Sequence, residues 1–186
     1  MSAKHRCVRS AREDHPAQKD APDVNDVDGF PVSGPLHHAG VCVGKMAESL
    51  RFYRDGLGLT VLVDTVLRAD LEPLLGVSTH EVRTVFLGSS ARCDSGIVEL
   101  LDLGVESVSG GRRQAGLPAR GIFLLSFQVD VEATLSRLQR LGLGGDPRVM
   151  TVEGGASAAT VVDPDGVLVE LLPMGPLAIM RSTAGD

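Results

Sequence analysis

The sequence predicts an α+β fold in which two βαβββ modules form a cup-like curved mixed sheet with the helices outside. Its 186 residues, 43% of them hydrophobic, suit one compact domain with a substantial core. An order of strand, helix and further strands occurs twice along the chain, which indicates an internal repeat. Both copies end in nearly the same run, "GIVELL" and "VLVELL". One copy alone would leave a sheet face bare, whereas two copies together can enclose a cup.

The first module begins with a strand followed by a helix. In "LHHAGVCV" the residues alternate, so that His38 lies on one face and Ala39, Val41 and Val43 lie on the face that a helix must cover. Apolar residues then recur at helical spacing over residues 46–57, and glycines end the helix. The remaining elements are the strand "TVLVDTVL", the irregular stretch "ADLEPLLGVST", and the strands "HEVRTVFLG" and "GIVELLDLG".

The second module repeats this plan. The run "GIFLLSFQVD" predicts a strand, and "VEATLSRLQRLGL" predicts a helix that ends near Gly142. Strands return in "MTVEGGASAATVVD", and after the turn "DPDG" the strand "VLVELLP" closes the module. Laid over each other, "LHHAGVCV" falls on "FLLSFQVD".

The ends of the chain differ in composition from the domain. Residues 1–34 are rich in charge, proline and aspartate and have almost no apolar periodicity, which predicts a flexible N-terminal tail. The domain is expected over residues 35–175, which leaves residues 176–186 as a C-terminal tail.

Composition argues against several partners. A net charge of −6 with 3% aromatic residues and no tryptophan disfavours nucleic acid, which needs basic surfaces and aromatic platforms. No run of about 18 apolar residues is available to cross a membrane, and residues 1–30 do not contain the apolar segment expected of a signal peptide. Cys7, Cys42 and Cys93 are scattered without a disulfide or zinc spacing. We therefore expect a cytoplasmic protein without a nucleic-acid or membrane partner.

Three inward-facing polar residues are candidates for chemistry. His38 points into the predicted cup, and Glu99 and Glu170 lie in the middle of the apolar runs that end the two modules. A carboxylate in such a place costs several kcal/mol unless it is paired, protonated or bound to a metal. The chain places one at corresponding positions in both modules.

Over residues 35–175 the chain resembles the vicinal oxygen chelate superfamily. The resemblance lies in the run "LHHAGVCV" with the helix that follows it, and in the runs "FYRDGLGL", "GIVELLDL" and "VVDPDGVLVELLP". That superfamily includes glyoxalase I, methylmalonyl-CoA epimerase, extradiol dioxygenases and bleomycin resistance proteins. In it the cup holds a divalent metal on residues from the first and last strands of each module. The resemblance places His38, Glu99 and Glu170 at three of those positions.

The fourth position departs from the family pattern. Metal-binding relatives usually have histidine where this chain has Leu124, and leucine cannot ligate. One imidazole and two carboxylates still suit a single divalent ion such as Mn, Fe, Co, Ni or Zn. They suit a 2-His-1-carboxylate iron site less well.

The resemblance implies a metal-dependent isomerase or lyase that stabilises an enolate of a small carbonyl or acyl substrate, with Glu99 or Glu170 as the base. Ser126 and Gln128 share the inward face with Leu124 and are candidate substrate contacts. Arg83 is a further candidate, for an anionic group of the substrate. The sequence also allows Arg83 to pair with Glu99, which would make that glutamate structural.

Two other functions stay open at this point. A ring-cleaving or other Fe(II) dioxygenase would need a second nitrogen ligand. A metal-free protein that binds an antibiotic or another small molecule would follow from the leucine at position 124. Members of the superfamily often pair modules between chains, which makes a homodimer an expectation.

Overall fold

The computed structural model describes residues 35–89, 95–105, 121–151 and 155–175. The predicted tails, 1–34 and 176–186, lie outside the described residues, as do Cys7 and Cys93. In the part of the chain that is described, no helix is long and apolar enough to cross a membrane.

The first module forms one four-stranded mixed sheet in the order β1-β4-β3-β2, in which β1 is parallel to β4 and the other neighbours are antiparallel. The helix after β1 continues past its α-helical part as a π-helix. In chain order the elements are β1 (His38–Cys42), α1 (Met46–Leu50), the π-helix (Arg51–Gly56), β2 (Thr60–Leu67), α2 (Glu72–Leu75), β3 (Val82–Gly88) and β4 (Ile97–Asp102).

The second module repeats this topology in a sheet of order β5-β8-β7-β6, in which β5 is parallel to β8. Its elements are β5 (Leu125–Gln128), α3 (Val131–Leu141), β6 (Gly144–Thr151), β7 (Ser157–Val162) and β8 (Leu168–Leu172). The predicted α+β class and the two βαβββ modules are confirmed. Within the described ranges the strands form two four-stranded sheets that no backbone ladder joins.

The sequence at both ends of α3 explains its bounds. The Asp130 side chain caps the first turn by accepting a hydrogen bond of 3.0 Å from the backbone N–H of Ala133. Gly142 follows the last turn with φ 68°, a left-handed conformation that favours glycine.

Two differences from prediction concern weak local signals. Strand β6 starts at Gly144, six residues before the predicted run. The early start was not predicted because Gly144, Gly145 and Pro147 have low strand propensity. The predicted irregular stretch between β2 and β3 contains the four-residue helix α2.

One hydrophobic core serves both modules. Val41 and Val43 face the helices as predicted, and each sheet contributes the residues of its helix-covered face. From β4 and β8 these are Val98, Leu100, Val169 and Leu171. Residues that alternate with them, including Glu99 and Glu170, therefore lie on the opposite faces of the two sheets.

The turn "DPDG" ties the second module to the helix of the first. The Tyr53 hydroxyl donates to Asp163 Oδ2 at 2.8 Å, and both groups are buried. Asp165 accepts from the backbone N–H of Gly44 at 2.8 Å and from the Ser49 hydroxyl at 2.6 Å. These contacts fix the two modules on one core.

Candidate functional site

In the first module the structure brings His38 and Glu99 together. Because β1 runs parallel to β4, with Gly40 opposite Glu99, His38 Nε2 lies 3.2 Å from Glu99 Oε2. The Thr84 hydroxyl on β3 donates to Glu99 Oε1 at 2.7 Å. The exposed fraction is 41% for the His38 side chain and 13% for that of Glu99. Both carboxylate oxygens are thus engaged, and the imidazole remains accessible.

The His38 ring is held from two further sides. It meets the Phe86 ring edge to face, with ring centroids 5.7 Å apart. Its Nδ1 lies 2.8 Å from Nδ1 of His37, and these two rings are also perpendicular.

In the second module Glu170 lies opposite Ser126 on β5. The Ser126 hydroxyl donates to Glu170 Oε2 at 2.6 Å, which is short, as expected for a bond to a carboxylate. Glu170 Oε1 has no hydrogen-bond partner among the described residues. Gln128, two positions further along β5, donates to the backbone carbonyls of Pro173 and Gly175, so its amide N–H is used locally.

Strand register shows which residue corresponds to His38. Glu99 lies opposite Gly40 and Glu170 lies opposite Ser126, so the residues two positions earlier, His38 and Leu124, are equivalent. This register agrees with the prediction that Leu124 lies at the position where metal-binding relatives usually have histidine. The literal overlay of "LHHAGVCV" on "FLLSFQVD" was wrong by one residue, since it aligns His38 with Leu125.

Arg83 lies away from this group. It is the neighbour of Thr84 on β3, so its side chain lies on the opposite face of the sheet. There it donates to both carboxylate oxygens of Asp64, at 3.1 and 2.9 Å. The hydrogen bonds from Arg83 hold the pKa of Asp64 below its usual range. The Arg83–Glu99 pair that the sequence allows is not formed.

The structure adds an arginine that sequence reasoning missed. Arg148 on β6 lies opposite Thr160, and Thr160 lies opposite Glu170, so these side chains share one face with Ser126. Two strand spacings put the Arg148 and Glu170 backbones roughly 10 Å apart. Arg148 is exposed and forms no ion pair within the described ranges. The sequence around Arg148 has low strand propensity, so no strand was predicted there. The position of Arg148 follows from the pairing of β6 with β7.

The three predicted metal ligands form two separate groups. The described residues of a single chain contain no cluster of three or more His, Cys, Asp or Glu side chains that could hold a metal ion. His38 and Glu99 form one pair on the first sheet, and Glu170 lies with Ser126 on the second.

Two βαβββ modules, each with a glutamate on the face of its last strand opposite the helices, define a protein of the glyoxalase fold. Residues 35–171 match the family model described as the Glyoxalase/Bleomycin resistance protein/Dioxygenase superfamily. The chain belongs to this superfamily, which confirms the resemblance identified from the sequence.

Similar proteins include the lactoylglutathione lyase-like protein terB of Aspergillus terreus, 36% identical over 146 residues that cover 74% of each chain. The trypanothione-dependent glyoxalase I of Leishmania major is 25% identical, with a TM-score of 0.55 over 82% of this chain and 93% of that chain. A glyoxalase family protein from Bacillus cereus shares the fold at 16% identity, with a TM-score of 0.59 over 81% and 97% of the two chains. The family match and the likenesses to terB and to the Leishmania major enzyme support a glyoxalase-like function.

Proposed function

We propose that this protein is a metal-dependent, glyoxalase-like isomerase or lyase whose active site is shared between two copies of the chain. Its substrate would be an adduct of a thiol and a 2-oxoaldehyde, converted into a 2-hydroxyacyl thioester. The observation that carries this proposal is the arrangement of His38, Glu99 and Glu170 as two half-sites on the uncovered sheet faces.

The first half-site fits a divalent ion. Two donor atoms about 2.1 Å from one ion, at near-octahedral or tetrahedral angles, lie roughly 3.0–3.4 Å apart. His38 Nε2 and Glu99 Oε2 are separated by 3.2 Å. Imidazole and carboxylate together suit Mn, Fe, Co, Ni or Zn. When bound, such an ion would supply Lewis-acid stabilisation of the two vicinal oxygens of an enediolate.

A second copy of the chain would supply Glu170. Among the described residues, strands β1 and β5 each pair on one side only, so within that part of the chain both sheets have a free edge next to their half-site. Unpaired edges are templates for another strand. Leu36 and Ile122, just before these two edges, are 77% and 85% exposed, and burying them would favour association. A twofold dimer would bring each first half-site against a second half-site of its partner.

The two carboxylates differ in what they are free to do. Glu99 is held through both oxygens, by Thr84 and by His38, which suits a ligand. Glu170 is held through Oε2 alone, so its Oε1 is available to take a proton. We assign Glu170 as the base that removes the proton from the hydroxyl-bearing carbon of the adduct and returns it to the adjacent carbon.

Arg148 would bind an anionic part of the substrate. Its guanidinium lies on the same sheet face as Glu170 and has no carboxylate partner in the described structure. Guanidinium is well suited to a carboxylate, with which it forms paired hydrogen bonds. The lactoylglutathione lyase-like relative supports such a substrate, because the thiol part of lactoylglutathione carries carboxylates.

A direct assay tests the reaction. Protein purified without a histidine tag is stripped of metal, loaded in turn with Mn, Fe, Co, Ni or Zn, and mixed with methylglyoxal and glutathione. The proposal predicts metal-dependent thioester formation that Glu170→Gln abolishes. If no metal supports thioester formation, the proposed reaction is wrong.

The leucine at position 124 favours one alternative, a metal-free binding protein. In that case tight binding of an antibiotic such as bleomycin would be unchanged by chelators and by His38→Ala. The Fe(II) dioxygenase predicts oxygen uptake with a catechol and iron. Each outcome is distinguishable from thioester formation.

A further inference from the structure

The imidazole of His37 lies against that of His38. Their Nδ1 atoms are 2.8 Å apart, and the two rings meet edge to face with centroids 5.1 Å apart. Two ring nitrogens at this distance share one proton, so one imidazole donates and the other accepts. Neither the metal pair nor the proton transfer described above uses His37.

His38 therefore has two tautomers with different consequences. With its proton on Nε2, His38 donates to Glu99 Oε2, and Nδ1 accepts from His37. With its proton on Nδ1, His38 donates to His37, and the Nε2 lone pair faces the Glu99 carboxylate. The second arrangement is repulsive unless a cation lies between nitrogen and oxygen.

We propose that His37 is a positioning residue for the metal ligand His38. His37 accepts the Nδ1 proton of His38 and so keeps the Nε2 lone pair directed at the ion. Histidine ligands generally donate their second ring N–H to an acceptor, and that contact fixes both the tautomer and the ring orientation. This inference rests on the metal site of the proposed function and adds a residue outside its ligand set.

Other contacts support a positioning role. Phe86 packs edge to face on the His38 ring at 5.7 Å, so the ring is held by Phe86, His37 and Glu99. The second module offers a contrast, because strand register places Phe123 and Leu124 at the positions of His37 and His38. The imidazole pair occurs only in the half-site that has the predicted nitrogen ligand.

The test measures zinc affinity by competition with a chelator, together with X-ray absorption of the zinc-loaded protein. We expect His37→Phe, which keeps a ring but removes the acceptor, to weaken zinc binding by about 10- to 100-fold. His37→Gln should restore most of that loss, because its amide oxygen can accept the same proton. His80→Phe removes an exposed histidine elsewhere on the first module and should leave the affinity unchanged.

The outcomes separate this inference from the proposed function. If the wild-type protein binds no zinc, both fail. If the wild type binds zinc and His37→Phe binds it equally well, only the role of His37 is overturned. If X-ray absorption counts two imidazoles on the wild-type ion, and one in His37→Gln, His37 is a ligand and the positioning role is wrong.

Discussion

The two modules share a backbone plan but carry different side chains around their matching glutamates. Around Glu99 the first module has His38, Thr84 and Phe86, and glycine at position 40. Around Glu170 the second module has a leucine in place of the imidazole, and Ser126 in place of the glycine. Under the proposed function, these differences assign metal ligation to one sheet and proton transfer to the other.

The glycine at position 40 illustrates this specialisation. A Cβ added there would lie 3.3 Å from the Leu101 side chain and 3.9 Å from Glu99 Oε2. A side chain at this position would be in tight contact with Leu101, and its Cβ would be in ordinary van der Waals contact with the oxygen that faces His38. The second module tolerates serine at the equivalent place, where its hydroxyl holds the glutamate instead.

The largest expected effect comes from replacing each of the two glutamates, in separate variants, by glutamine. If Glu170 is the base, Glu170→Gln should lower kcat by about 10²- to 10⁴-fold, the range for loss of a general base. Glu99→Gln should act chiefly through lost metal affinity, so a high zinc concentration should recover part of its activity. Steady-state kinetics across a zinc titration measure both variants. Equal recovery of the two variants by zinc would contradict the division of tasks.

The two arginines provide a second comparison. Arg148→Gln should raise KM for the glutathione adduct by roughly 10- to 100-fold, because a hydrogen bond to a charged group contributes about 1.5–3 kcal/mol. Arg83→Gln should leave KM unchanged, since Arg83 lies on the other face and pairs with Asp64. Because the Arg83–Asp64 ion pair is exposed, its loss should change the free energy of unfolding by about 1 kcal/mol or less. An effect of Arg83→Gln on KM would mean that the sheet face is assigned wrongly.

Removing the hydrogen bond between the two modules should lower the stability of the fold. Tyr53→Phe removes the hydroxyl that donates to the buried Asp163 Oδ2, while two backbone N–H groups still donate to Oδ1, and it should lower the free energy of unfolding by about 1–3 kcal/mol. Burial raises the pKa of Asp163, so this residue stabilises the fold most at low pH and less as the pH rises through its folded-state pKa. The hydrogen bond from Tyr53 opposes that rise.

The effect of Tyr53→Phe should therefore be largest at neutral pH and shrink as the pH falls through the raised folded-state pKa of Asp163. Urea unfolding of both proteins at several pH values measures the difference. A difference that is independent of pH would show that the hydroxyl does not act through the Asp163 carboxylate.

A smaller gain is expected from restoring the missing imidazole. Leu124→His should tighten zinc binding by about tenfold or more, because it adds a nitrogen donor at the position equivalent to His38. Leu74→His, at an exposed leucine on α2 away from both half-sites, serves as the matched control. Equal tightening by both variants would indicate non-specific binding and contradict the assignment of position 124.

Sequence periodicity was sufficient for the modules and for the faces of Val41, Glu99 and Glu170, because these depend on alternation within a strand. It was not sufficient for contacts between strands. The Thr84–Glu99 bond and the position of Arg148 depend on register, and the register of β6 shifts between Gly144 and Arg148. The same dependence on register explains why the sequence allowed an Arg83–Glu99 pair. Neighbouring residues of a strand lie on opposite faces, and it is Thr84, next to Arg83, that contacts Glu99.

The shared site is the central claim, and mixed dimers test it directly. One chain carries His38→Ala with Glu99→Gln, its partner carries Glu170→Gln, and distinct tags without histidine allow the mixed dimer to be purified. If each site combines a first half-site with its partner's second half-site, the mixed dimer has one intact and one doubly defective site. It should then have about half the thioester-forming activity of the wild-type dimer, whereas each parent variant is nearly inactive. A mixed dimer that is no more active than its parents would contradict a site shared between two copies.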